Sequence, residues 1–206
     1  MFQSLDDFAP EGTESGVGLA LTDERGRYIF ILAGSRHQCP PGQLFYAGIG
    51  GHREPGESWE QCARREAMEE LSTEVELISS RDTLYIPVVG SPDYVNIDRQ
   101  PRPLALYEMI HPQGTPHEGE LYRIVIFNAR LEKMPDQLQE EEVGGIIALK
   151  PWQVIVGVDC RPTLDELLEE GADLILDPLE IEHQTILYPI GTAVALSDVL
   201  RCSNVG

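Results

Sequence analysis

Residues 51–73 read GHREPGESWEQCARREAMEELST and hold the densest chemistry in the chain. Glu66, Glu69 and Glu70 lie three and four residues apart. On a helix, at about 100° per residue, the three fall within an arc of about 100°, and Glu66 and Glu70 stack one turn apart. Carboxylates so placed repel one another and destabilise an isolated helix. Hard cations that seek oxygen ligands, Mg²⁺ or Mn²⁺, reverse that sign. A glutamate-rich helical face by itself is usually solvated surface. The flanks set this one apart. Gly50 and Gly51 end a strand-like run, and Pro55-Gly56 precede a helix that Ser58 can cap, so bare backbone carbonyls should sit beside the same face.

The segment resembles the Nudix box: Gly, five residues, Glu, seven residues, Arg-Glu, an aliphatic residue, any residue, Glu-Glu, any residue, Gly, and an aliphatic residue. Gly51, Glu57, Arg65, Glu66, Glu69 and Glu70 match in register. With about 0.1 per position for Gly or Glu and about 0.05 for Arg, a chance match anywhere in the chain is on the order of 10⁻⁴. The box normally closes with Gly and an aliphatic residue, whereas here Ser72 and Thr73 stand. No carboxylate is lost by that departure; what it puts in question is the backbone just after the helix. The aliphatic position after Arg-Glu holds Ala67. The resemblance extends over roughly residues 16–155.

This resemblance implies an α/β/α sandwich around a mixed sheet. It implies that Glu66, Glu69 and Glu70 bind metal, that the Gly50 carbonyl joins them, and that Glu57 and Arg65 orient the catalytic helix. The implied activity is hydrolysis of a phosphoanhydride bond in a nucleoside diphosphate linked to another moiety, with Mg²⁺ (or Mn²⁺) as cofactor. Either Glu66 or Glu142, from the run Glu140-Glu141-Glu142, would accept the proton of the attacking water; the sequence leaves both open. The alternatives are a catalytically silent Nudix-fold module that senses a ligand, and an isomerase of an isoprenoid diphosphate. The intact carboxylate set speaks against the first, and the lack of an evident reactive Cys with a second acid against the other. Short downstream patterns that separate subfamilies by substrate have no clean match, and Pro87 stands one residue out of register with a proline of ADP-ribose-type relatives. Many relatives are dimers, so a homodimer is admissible.

The elements that must carry these groups follow from periodicity and turn signals. Residues 16–32 read as two strands about the turn Asp23-Glu24-Arg25-Gly26, and 44–50 as a short strand ending in glycines. Ser58 with Gln61 forms a capping box for a helix whose Ala63, Ala67 and Leu71 share one side. Strands are expected at 75–78, 83–89, 104–110, 121–131 and 146–149. Residues 90–103 read as a long loop, often a functional feature. Thr163 with Glu166 caps a short helix that Gly171 ends, and 192–200 reads as a last helix. We therefore expect a main domain over 1–156 and an α-rich C-terminal extension, 157–206, packed on it.

The bulk composition bounds partners. The 206 residues carry 15 basic and 35 acidic side chains, a formal net charge of -20. Such a field repels nucleic-acid backbones and anionic lipid, which argues against a nucleic-acid polymer or a membrane as partner. A small nucleotide-diphosphate substrate remains compatible if metal ions supply positive charge. Residues 1–10 lack the basic and apolar stretches of a secretory signal, the apolar runs are strand-length, and the four cysteines form no C-x-x-C pair; a cytoplasmic protein is expected. Arg36, Arg53, Arg99 and Arg102 sit in loop-like stretches and are candidate substrate contacts, since guanidinium binds phosphate bidentately. Tyr94 could stack on a base, whereas Trp152 is expected to pack in the core. Cys62, on the face of Glu66, is expected to be a small packed residue. The five His residues show no ligand spacing.

Overall fold

A computed structural model describes residues 2–111, 117–131, 133, 135, 138 and 141–203. In chain order the elements are α1 (Leu5–Phe8), β1 (Ser15–Thr22), β2 (Tyr28–Ala33), β3 (Gln43–Ala47), α2 (Trp59–Leu71), β4 (Val75–Ile78), β5 (Thr83–Ile86), β6 (Asp93–Val95), β7 (Ala105–Ile110), β8 (Leu121–Leu131), β9 (Val143–Leu149), α3 (Pro151–Cys160), α4 (Leu164–Glu169), β10 (Asp173–Leu176), β11 (Ile186–Pro189) and α5 (Thr192–Ser203).

Among the described residues the strands form one mixed sheet, with spine order β10-β9-β2-β1-β8-β7-β5-β6. β3 branches from β2 and carries β11, while β4 pairs with β8. β1 runs parallel to β8, β5 to β7 and β11 to β3, and the remaining pairs are antiparallel. Both faces are covered, which is why β9 is buried along its whole length and β2 along all but its first residue. β1 shows the division. Val17, Leu19 and Leu21 join the core beneath α1 and α2, while Ala20 joins the core beneath α3, α4 and α5. The result is the α/β/α sandwich.

α2 begins where the sequence marks it. Ser58 Oγ accepts from the Gln61 amide at 3.2 Å and Gln61 Oε1 accepts from the Ser58 amide at 2.8 Å, two otherwise orphaned donors satisfied reciprocally. Trp59, Cys62, Ala63, Ala67 and Leu71 are buried at helical spacing. The small Ala63 and Ala67, fully buried, bring the helix close to β1, so the glutamates on its flank start at the sheet edge instead of in open solvent.

Three features differ from expectation. The 90–103 stretch contains β6, which adds to the edge through Thr83↔Val95 and Tyr85↔Asp93; a three-residue strand is too short to show period-two alternation. The C-terminal segment supplies helices but also β10 and β11, both in the main sheet, and residue 157 lies within α3. Pro151 at the first helical position fixes φ and lacks the amide a helix start would leave unpaired. Trp152, expected in the core, stands 43% exposed on that first turn.

Candidate active site

The Arg65 guanidinium organises one side of α2. Its Nε and Nη2 donate to the two Glu57 oxygens at 2.9 and 3.0 Å, the planar fork a carboxylate fits. Nη1 donates to Glu66 Oε1 at 2.7 Å and Glu69 Oε2 at 3.0 Å, and Nη2 also reaches the His52 carbonyl at 2.9 Å. One cation thus fixes three of the sequence's carboxylates and the backbone after Gly51. The hydrogen bond from Arg65 holds Glu57 below the ordinary carboxylate range. Glu66 is shifted upward because burial outweighs the help of Arg65.

Gly50 and Gly51 are there for close approach. At Gly50, φ is +151° and a Cβ would stand 2.1 Å from the Val17 carbonyl oxygen. A Cβ on Gly51 would lie 2.5 Å from Glu66 Oε1. Bare backbone therefore lies directly against the glutamate face.

Glu70 has a different environment. Its Oε2 is shielded from solvent and has no hydrogen-bond partner among the described residues. Its pKa is pushed up to about 8, first by burial and then by the charges of Glu66 and Glu142, against which the Gly50 backbone acts only partly. Glu142 reaches this side through the β2–β9 pairing, where Ala33 lies opposite Val143. Its carbonyl accepts from the Gly34 amide at 2.9 Å, and the Arg36 amide donates to the Glu141 carbonyl at 2.8 Å. The Arg36 side chain then ion-pairs with Glu142. Five carboxylates (Glu57, Glu66, Glu69, Glu70 and Glu142) thus meet two guanidinium groups. A buried oxygen lacking a donor, among carboxylates in excess of cations, fits a hard divalent ion, which Glu66, Glu69 and Glu70 with the Gly50 carbonyl could hold.

The four candidate arginines are not brought together. Arg36 is with Glu142. Arg53 lies over the Trp59 ring at 4.3 Å and Arg99 ion-pairs with Glu60; both line a groove of about 950 Å³ that also borders Glu14 and Glu57. Arg102 instead donates to the Ile97 and Arg81 carbonyls, pinning two loops to each other. Cys62 is buried, with its thiol 3.6 Å from the His52 carbonyl, and burial raises its pKa. It is a packed, protonated residue, as expected.

One group was missed from the sequence. His52, His111 and His117 come together, their ring centroids 5.5 to 6.3 Å apart, and Glu14 joins them. The usable signal was the short segment between the strands expected at 104–110 and 121–131, which holds both His111 and His117.

Comparison with known families matches the NUDIX domain over residues 12–155, and the chain belongs to that family. Similar solved structures include a NUDIX hydrolase from Nitrosomonas europaea, with 18% identity and a TM-score of 0.41 over 63% of this chain and 67% of that one. The solution structure of the E. coli ORF135 protein has 14% identity and a TM-score of 0.47 over 92% and 89%. The E. coli dihydroneopterin triphosphate pyrophosphohydrolase has 15% identity and a TM-score of 0.45 over 69% and 84%. A comparison with curated proteins gives no match. Among the described residues no helix is long and apolar enough to cross a membrane.

Proposed function

We propose that this chain hydrolyses a phosphoanhydride bond in a nucleoside diphosphate linked to another moiety, and that it depends on Mg²⁺ or Mn²⁺ to do so. The observation that carries the reading is Glu70: a carboxylate oxygen shielded from solvent, without a donor, pressed by the charges of Glu66 and Glu142. A site without catalytic or binding use for a cation has no physical need of that arrangement. A divalent ion held by Glu66, Glu69 and Glu70 would supply positive charge against the diphosphate and lower the pKa of a water toward neutral.

The chain's own residues do the positioning. Arg65 holds Glu57, Glu66 and the His52 carbonyl in fixed relation, so the glutamate face is organised before substrate arrives. Glu142 is the better proton acceptor of the two glutamates considered. Glu66 is tied to Arg65 and packed on Gly51, whereas the Glu142 partner Arg36 has a 59% exposed side chain and is free to transfer to a substrate phosphate. Arg53 and Arg99, a groove away, would contact the moiety beyond the diphosphate.

A panel of nucleoside-diphosphate compounds assayed with Mg²⁺ and with Mn²⁺ by phosphate release tests this. Glu70→Gln should lower kcat by about 10² or more with the fold intact, and reaction in ¹⁸O-water should place label on a phosphate product. Tight binding with no turnover of any panel member would replace the enzyme with a ligand sensor.

A further inference from the structure

Glu14 lies just before β1, His52 one residue past the glycine pair, and His111 just after β7. Their carriers are neighbours in the sheet. Gly16 bridges to His52 on one side and pairs with Ile124 on the other, and β8 pairs in turn with β7 through Met109↔Tyr122. Because Gly16 has no side chain, Tyr122 lies across it; a Cβ there would stand 2.0 Å from the tyrosine oxygen. The His52 and His111 rings flank Tyr122 with centroids 4.8 and 4.9 Å away. They lie parallel to each other within 3° at 6.2 Å.

One ligand atom each from Glu14, His52 and His111 lies within 4.8 Å of the other two, and His52 Nε2 is already 2.8 Å from Glu14 Oε1. His111 Nε2 is shielded from solvent and has no hydrogen-bond partner among the described residues, although an imidazole nitrogen so placed ordinarily finds one. The His52 carbonyl is held by Arg65 while its ring engages Glu14. The His52 backbone is therefore anchored from one side while its ring stands on the other, beside Glu14 and His111.

We propose that Glu14, His52 and His111 form a second metal site, for a transition-metal ion of the zinc class, separate from the glutamate face of α2. Two imidazoles and one carboxylate are a donor set that suits Zn²⁺, whereas Mg²⁺ prefers oxygen throughout. The two sites would thereby sort the two kinds of ion. A Zn–N length of about 2.0–2.1 Å sets tetrahedral ligand atoms about 3.3 Å apart. The present His52–Glu14 contact of 2.8 Å is shorter than that and the set as a whole spans up to 4.8 Å, and His52, with a side chain 57% exposed, has room to adjust by rotation. Three protein ligands would leave a fourth position open, and a further imidazole is close by, the His117 ring standing 5.5 Å from that of His111. Occupation would tie the β7–β8 hairpin to the segment carrying Gly50 and Gly51. The site is independent of whether the glutamate face turns over a substrate.

The test is Zn²⁺ titration of chelator-stripped protein against a chromophoric competitor, with Mg²⁺ in large excess. One Zn²⁺ per chain should be retained. His111→Gln and Glu14→Gln should each weaken it by more than about tenfold, which is the least that even an outer partner of a ligand contributes, and Glu70→Gln should leave it unchanged. X-ray absorption on the zinc-loaded native protein needs no variant and should show two imidazoles and no sulfur. No retained Zn²⁺, thiolate ligation, or zinc lost in Glu70→Gln but kept in His111→Gln would each overturn the assignment.

Discussion

Replacing Glu70 with glutamine should make the metal-free protein more stable at neutral and mildly alkaline pH. The Glu70 carboxyl titrates at about 8 in the folded chain against an ordinary value of 4.5. A carboxyl whose folded-state pKa is raised holds its proton more tightly when native. Between those two values the unfolded chain therefore binds fewer protons, and stability falls as pH rises. Below about pH 4.5 the penalty is absent; by about pH 8 it is fully present. At 1.36 kcal/mol per unit the interval corresponds to about 5 kcal/mol, an upper bound. Glutamine cannot ionise, yet it leaves a buried amide whose unmet hydrogen bonds cost about 1–3 kcal/mol. The net gain is about 2–4 kcal/mol, or roughly 5–15 °C in melting temperature for a chain of this size.

Urea denaturation in chelator, followed by tryptophan fluorescence from about pH 5 to about pH 8.5, measures this directly. The native chain should lose stability across the range and Glu70→Gln should be nearly flat. Saturating Mg²⁺ should then shrink the difference, since metal at 100 times its dissociation constant stabilises the native protein by about 2.7 kcal/mol. Parallel pH profiles in chelator, or a variant less stable than the native chain at about pH 8.5, would refute the reasoning.

Two further expectations concern α2. Ser72, at its C-terminus, has φ 53° and ψ 33°, a left-handed conformation that costs a side-chain-bearing residue about 1 kcal/mol or more. Ser72→Gly should therefore raise stability in urea by up to about 1 kcal/mol, the remainder being offset by the entropy of glycine in the unfolded chain; a loss in the same melts would reject this. Arg65→Lys keeps the charge but not the two-oxygen grip on Glu57. With the guanidinium a quarter exposed, the cost should be about 1–3 kcal/mol at neutral pH, below the range for a fully buried pair. Because Arg65 depresses the Glu57 pKa, that part of the stability is present above about pH 4.5 and lost as pH falls further, so the variant should show a shallower acid limb in denaturation.

The box was legible because its chemistry is local. Helical spacing alone puts Glu66, Glu69 and Glu70 on one face, Ser58 and Gln61 announce the start of α2, and Ser72 took the left-handed position that the missing glycine would have filled. The central strands were legible because each is long and apolar. β6, β10 and β11 span three or four residues in stretches that read as loop or as helix-rich, and they form by docking on edges built elsewhere. The four arginines were chosen for being in loops, and loop position carries no information about which carboxylate or carbonyl each will meet. The histidines were opaque for a related reason. His52 meets His111 and His117 through the lateral order of β1, β8 and β7 and across a glycine that makes room for Tyr122, so no spacing along the chain records that meeting.

The glutamates of the box differ in a way no pattern of letters encodes. Glu57 stands just before α2 and Glu70 in its last turn, the same residue type, yet one is held ionised and the other resists ionisation near neutral pH. The difference is burial first, deep at Glu70 and slight at Glu57, and the guanidinium second. Arg65, eight residues from Glu57, folds back to meet it with a matched fork, and its third nitrogen serves Glu66 and Glu69. That leaves Glu70, one turn beyond Glu66, buried with only the Gly50 backbone to offset it. Adding a second arginine there would relieve the repulsion, but it would also fill the space in which a divalent ion could sit. On the proposed reading, what makes Glu70 costly in the metal-free chain is what would make it a ligand. Glu70→Gln should therefore stabilise the metal-free chain and weaken metal binding together, and its melts with and without Mg²⁺ read both quantities from one protein.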